Sequence, residues 1–205
     1  MIRPALILAG ALALAACSSP PVHYHTLLAP TMGNAAGAGA PFAIDVLPVG
    51  IPAGLDQQQL VVRDGASGLV VQDGERWSGP YADEIRTALA AQLASSLQTR
   101  DVTGLGRAPG QPVMRIQVQV RRFDAWVGDK VQFEGTWRLG YADGDLNARM
   151  LCSSQLEVRA PGGYPQLVQA QQRALASLAA EIAQSARAWD GKTGGACTKV
   201  SVTGT

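Results

Sequence analysis

The chain has 205 residues and a formal net charge of +1, with 16% charged, 47% apolar and only 5% aromatic residues. Near-neutral charge gives no counterion-release drive, which excludes a basic nucleic-acid binder. No apolar run of about 18 residues follows the N-terminus, which excludes a polytopic helical membrane protein. The chain is also too apolar and too balanced in charge to be mostly disordered.

The N-terminus carries an address. Arg3 precedes an apolar stretch, Ala5 to Ala16, that is too short to span a membrane and ends in Leu14-Ala15-Ala16-Cys17. These four residues resemble a bacterial lipobox. That resemblance implies a signal peptide over 1–16, cleavage before Cys17, and acylation of the Cys17 thiol. Acyl chains then anchor the protein far more firmly than a single myristoyl group. Loss of Arg3 leaves the mature chain formally neutral. Residue 18 is Ser rather than Asp. By the sorting rule for such proteins, this implies the outer membrane with the domain facing the periplasm.

Cys152 and Cys197 remain. In an oxidising compartment an even pair reads as a disulfide. It closes a loop of about 46 residues and contributes roughly 4 kcal/mol in the chain-entropy model. The alternative is two unrelated thiols. Neither has ligand-spaced partners for a zinc site.

Residues 17–23 form a tether, and 24–190 one domain. Tyr24 to Leu28 predicts a short strand. If it joins the sheet, the free tether of about six residues reaches roughly 20 Å at most. Residues 29–41 are a Gly/Ala-rich connection. Phe42 to Val49 predicts a strand, ended by Pro48 and Pro52. Leu60-Val61-Val62 and Leu69-Val70-Val71 flank Asp64-Gly65 as a hairpin. Ser78 or Gly79 offers a helix cap before Pro80, and Asp83 and Glu84 complement the helix dipole. Tyr81, Ile85, Leu89, Leu93 and Leu97 then recur every four residues, one buried helical stripe ending near Gln98.

Met114, Ile116, Val118 and Val120 alternate with Arg115, Gln117, Gln119 and Arg121. Val131, Phe133, Trp137 and Leu139 alternate with Gln132, Glu134, Thr136 and Arg138. Both read as half-buried strands. A third runs from Ala148 to Arg159 after the turn at Asp143-Gly144, and a helix follows over 165–189. Its stripe is Val168, Leu175, Leu178, Ile182, Ala186 and Trp189. Residues 191–205 read as a loose tail. The fold class is α/β: a single domain, with a mixed, largely antiparallel sheet and two long helices packed mainly on one face. The polar strand faces leave the other side of the sheet wet or closed by a partner.

Patterns for chemistry are weak. His23 and His25 fall on one side of a strand with no third ligand near in sequence. Glu75 and Arg76 read as an ion pair or a solvated loop. Asp143-x-Asp145-x-Asn147 imitates a calcium loop but has Ala148 and Ser154 where Gly and Glu are needed. Gly65-Ala66-Ser67-Gly68 misses the nucleophile-elbow spacing. The reading is a non-enzyme with no metal and no cofactor beyond the covalent lipid on Cys17. Trp126 and Val127, near a hairpin tip, are the candidate partner contact; alternatively the indole folds back onto the sheet edge.

Several segments together resemble the ABC-type transport auxiliary lipoproteins. They are Tyr24-x-Thr26-Leu27 with Pro30, then Val46-x-Pro48-Val49-x-Ile51-Pro52 followed by Leu55-Asp56 and Leu60-Val61. Arg76-Trp77-x-x-Pro80 leads into the Leu89/Leu93/Leu97 helix, and Val120-x-x-Phe123 runs through Gly128-Asp129-Lys130-Val131 to Gly135-x-Trp137. The likeness spans about residues 14–190 and leaves Cys197 outside. It implies a docking subunit that meets the MCE-domain subunit of an inner-membrane lipid transport complex, anchored in the outer membrane and able to form a homo-oligomer. The rival reading is an envelope-assembly or wall-linked lipoprotein, and a third is a carrier that itself holds a lipid.

Overall fold

The computed structural model describes residues 21–30, 38–106, 108–145, 147–192 and 194–199. Cys17 and the expected leader, residues 1–16, lie outside the described residues, as does most of the Gly/Ala-rich connection. Among the described residues, seven strands and two helices follow one another as β1 (His23–His25), β2 (Ala43–Val46), β3 (Gln59–Asp64), β4 (Gly68–Trp77), α1 (Tyr81–Leu97), β5 (Val113–Ala125), β6 (Lys130–Tyr141), β7 (Met150–Arg159) and α2 (Tyr164–Ala188). No helix among the described residues is long and apolar enough to cross a membrane.

The strands divide between two sheets. A small one has the order β1-β4-β3 and a larger one β2-β5-β6-β7. The first strand of each sheet pairs parallel with its neighbour, and the remaining pairs are antiparallel. The mixed, largely antiparallel α/β arrangement predicted from the patterning is therefore present, spread over two sheets. β2 stops at Val46 because Pro48 has no N–H for the ladder. Pairing resumes at Gly50, whose N–H donates to Val118 O.

α2 lies on β6 and β7, while α1 packs beside it and reaches β2. Both helices thus cover one face of the large sheet. The α1 stripe from Tyr81 to Leu97 and the α2 stripe from Val168 to Trp189 are buried in one apolar cluster with Ile116, Val118, Trp137 and Leu139. Neither Ser78 nor Gly79 caps α1: Pro80 holds the cap position with no side-chain cap bond. Ser78 Oγ instead donates to Glu84 Oε1 at 2.5 Å. Glu84 Oε2 also accepts from Thr26 Oγ1 and from the Leu27 N–H, both at 2.8 Å, so it pins the exit of β1 to the helix.

Polar groups stitch α2 to the sheet inside the core. Trp137 Nε1 donates to Ser154 Oγ at 2.9 Å, and Ser154 Oγ donates to Glu181. The tail is tied down through residue 199 where the sequence reads as loose. A disulfide joins Cys197 to Cys152 on the inner face of β7, and the Thr198 N–H donates to Ser185 Oγ at 3.0 Å.

Candidate functional site

Period-two alternation gives the large sheet one apolar face under the helices and one polar face left open. β7 alternates buried and exposed residues along its whole length. β5 alternates the same way until a bulge between Val120 and Arg122. The extra residue turns both Arg121 and Arg122 outward, and it carries the following Asp124 under β3.

The open face is a row of shallow grooves. One of about 320 Å³ is lined by Arg122, Gln132, Glu134, Gln155 and Glu157, among others. Two smaller ones continue along the sheet, past Gln117, Thr136, Arg138 and Leu151 toward Arg115 and Arg149. Cross-strand pairs order this surface: Arg115 with Asp45 at 3.4 Å, Arg121 with Glu134 at 3.1 Å and Lys130 with Glu157 at 3.0 Å. Hydrogen bonds from Gln132 and Lys130 hold the Glu157 carboxyl below the usual carboxylate range. Two features stand out on this face. Leu151 stands 72% exposed among the polar side chains. The Gln117 side-chain oxygen is buried and has no hydrogen-bond partner among the described residues.

The histidines acquire the carboxylate that sequence spacing does not supply. β4 brings Glu75 beneath β1, where His23 Nδ1 lies 3.1 Å from Oε1 and His25 Nε2 lies 2.5 Å from Oε2. Glu75 is thus in a strand and clasps both rings, rather than lying in a solvated loop. Among the described residues no group of three His, Cys, Asp or Glu is arranged to hold a metal ion. The Asp145 region is a turn closed by the Asn147 N–H on Asp145 Oδ1 at 2.8 Å.

Trp126 folds back. It is half-buried, its Nε1 donates to Gly65 O at 3.2 Å, and Lys130 Nζ sits 5.8 Å from the ring centre. Val127 next to it is exposed. Sequence reasoning missed Glu75, Glu84 and Asp124 as organisers. Each acts on a segment some 50 to 60 positions away, and only the fold supplies that proximity.

Comparison with known proteins gives a family-level match. The model described as ABC-type transport auxiliary lipoprotein component matches residues 25–183. No curated protein matches the chain. The crystal structure of an uncharacterized protein superposes with a TM-score of 0.64 at 20% identity, covering 80% of this chain and 98% of the other. A Xanthomonas campestris protein of the DUF330 family superposes with a TM-score of 0.56 at 17% identity, covering 78% and 91%. These two are likenesses of fold.

Proposed function

The chain belongs to the ABC-type transport auxiliary lipoprotein family, and on that premise we propose that it is the docking subunit of an MCE-type intermembrane lipid transport system. In this reading it is anchored in the outer membrane by an acylated Cys17, faces the periplasm and has no catalytic activity. The observation that carries the reading is the family match over residues 25–183, which begins within a tether's length of the lipobox cysteine.

The anchor confines the domain to a membrane and raises its effective concentration at a partner there. The open face of the large sheet, from Arg115 through Arg138 to Glu157, is the surface offered to the MCE-domain subunit. Its exposed Leu151 and the unpartnered Gln117 oxygen are the groups a partner would cover. A homo-oligomer would present several copies of this face to one elongated partner.

The experiment is in-cell crosslinking from a photoreactive residue placed at Leu151, with acyl labelling of Cys17 read on the same protein. A labelled protein that crosslinks to an MCE subunit is the expected result. Crosslinks to a secretin or to the cell wall in place of that subunit overturn the reading.

A further inference from the structure

The described chain begins at residue 21, beside Gly74 near the end of β4, while the start of β4 carries exposed apolar side chains. β1 runs parallel to β4, with His23 opposite Glu75 and His25 opposite Trp77. The upstream end of β1 therefore points along β4 toward its start at Gly68, next to the β3–β4 turn. From Glu75 back to Leu69 is about six residues, roughly 20 Å of strand. From His23 back to Cys17 an extended chain also spans about 20 Å. A tether of that length, fully extended, is long enough to bring Cys17 level with the hairpin tip.

The β5–β6 turn shares this end, since Trp126 bonds to Gly65 and Arg63 pairs with Asp124. β7 finishes here too, with Arg159 opposite Lys130. Leu69, Val70 and Val71 are 53%, 39% and 43% exposed, and Val127 is 42% exposed. Val70 lies opposite Val62, which is buried, so that face of the hairpin packs inward through β3, while Leu69 and Val71 lie on the other face and are the more exposed. β1 covers only the last three positions of β4, so upstream of Glu75 that edge has no strand beside it among the described residues.

The geometry points to this hairpin tip, Leu69-Val70-Val71 with Val127 at its side, as a second membrane contact that seats in the surface of the bilayer holding Cys17. This rests on the acyl anchor of the preceding section. The backbone of the tip sets the depth. Unpaired backbone groups are excluded from hydrocarbon, so the tip sits at headgroup level and only its side chains reach the acyl boundary. Charges of both signs surround the tip, Asp64, Asp129 and Glu157 with Lys130 and Arg159, so attraction comes from apolar burial and the tether rather than from charge. The strands then stand on the membrane by their hairpin end, and the open face of the large sheet looks sideways, where a partner reaches it.

The test uses the full acylated protein in vesicles of phosphatidylethanolamine and phosphatidylglycerol, with a photoreactive benzoylphenylalanine at Val70 or, as the reference, at Leu151. The expected result is a phospholipid adduct from the Val70 probe and none from the Leu151 probe. Both probes occupy exposed positions, and circular dichroism verifies that each variant is folded. A Val70 adduct to a polypeptide, a second copy included, overturns the proposal, and so does an absence of lipid adduct. Palmitate labelling of the same samples separates the two readings. Labelled protein with no Val70–lipid adduct overturns this contact alone. Protein that takes up no label overturns the anchor and the contact with it.

Discussion

Arg63 on β3 and Asp124 on β5 lock the two sheets together through a two-point ion pair. Nε and Nη2 of Arg63 lie 3.0 and 3.2 Å from the two carboxylate oxygens, and Arg122 adds contacts of 2.9 and 2.7 Å. Asp124 is buried, while Arg63 and Arg122 keep part of their surface in water. Removing the carboxylate leaves two guanidinium groups facing one another with nothing between them. Asp124→Ala is expected to cost about 2–3 kcal/mol, less than a fully buried pair because water still reaches both arginines. Urea denaturation checks this as a lowered midpoint with an unchanged slope. A midpoint equal to that of the parent protein would show that this ion pair does not hold the sheets together.

Tyr81 sits beside this pair, stacked on Trp77 with ring centres 4.8 Å apart. Burial first, and the nearby Asp124 charge second, push its hydroxyl well above the ordinary value of 10.0. The sign follows from linkage. Above a pH of about 10 the unfolded chain releases this proton and the folded one keeps it, so folding stability falls as pH rises through that range. Tyr81→Phe is expected to flatten the alkaline limb of a stability–pH curve. At neutral pH it costs about 1–2 kcal/mol, because buried Gln171 Nε2 loses its bond to the hydroxyl. An alkaline limb of identical steepness in both proteins would place the titration elsewhere.

Two kinds of information separate what the sequence makes legible from what it does not. β6, β7 and the α1 stripe follow from local periodicity, because each buries one face against a single neighbouring layer. The open polar face is legible for the same reason. The bulge is not: Arg121 and Arg122 both face out, and Phe123, Asp124 and Ala125 are all buried, which breaks any two-residue rule. Asp124 is buried only because β3 folds over it. The His23–Glu75–His25 clasp depends on a parallel pairing across some 50 residues. Trp126 turns inward because the β3–β4 turn offers Gly65 O, a group on a different sheet. Period and composition carry no trace of such meetings.

The Glu75 clasp predicts a local effect rather than a global one. It holds a three-residue strand whose last carbonyl, His25 O, accepts from the Ser78 N–H at 2.8 Å. His23 is largely in solvent, so its half of the clasp contributes little. Glu75→Ala is expected to leave overall stability within about 1 kcal/mol of the parent. The amides around β1 and Ser78 should exchange with solvent faster, while those of β5 and β6 stay protected. Hydrogen exchange resolved by residue checks this, and unchanged protection at Ser78 would show that the clasp does not hold β1 in place.

The Cys152–Cys197 bridge yields the last prediction. The cysteines are 45 positions apart in sequence, with Cα atoms separated by 5.8 Å. In the chain-entropy model a cross-link of that span destabilises the unfolded state by roughly 4 kcal/mol. Its effect on the native state is local, because α2 keeps its apolar contacts with β6 and β7 whether or not the bridge is present. Reduction is therefore expected to lower the melting temperature and free residues 194–199, leaving the sheet and helix signals intact. Cys197→Ser isolates the effect better than Cys152→Ser, because Cys152 is buried and a hydroxyl there adds its own desolvation cost. Calorimetry of the parent protein with and without reductant, set against Cys197→Ser, checks the account. The reduced parent and the variant should melt together, below the oxidised parent. If all three melt at one temperature, Ser185 and the packing of Trp189 hold the C-terminal segment, and the bridge adds no constraint to the unfolded chain.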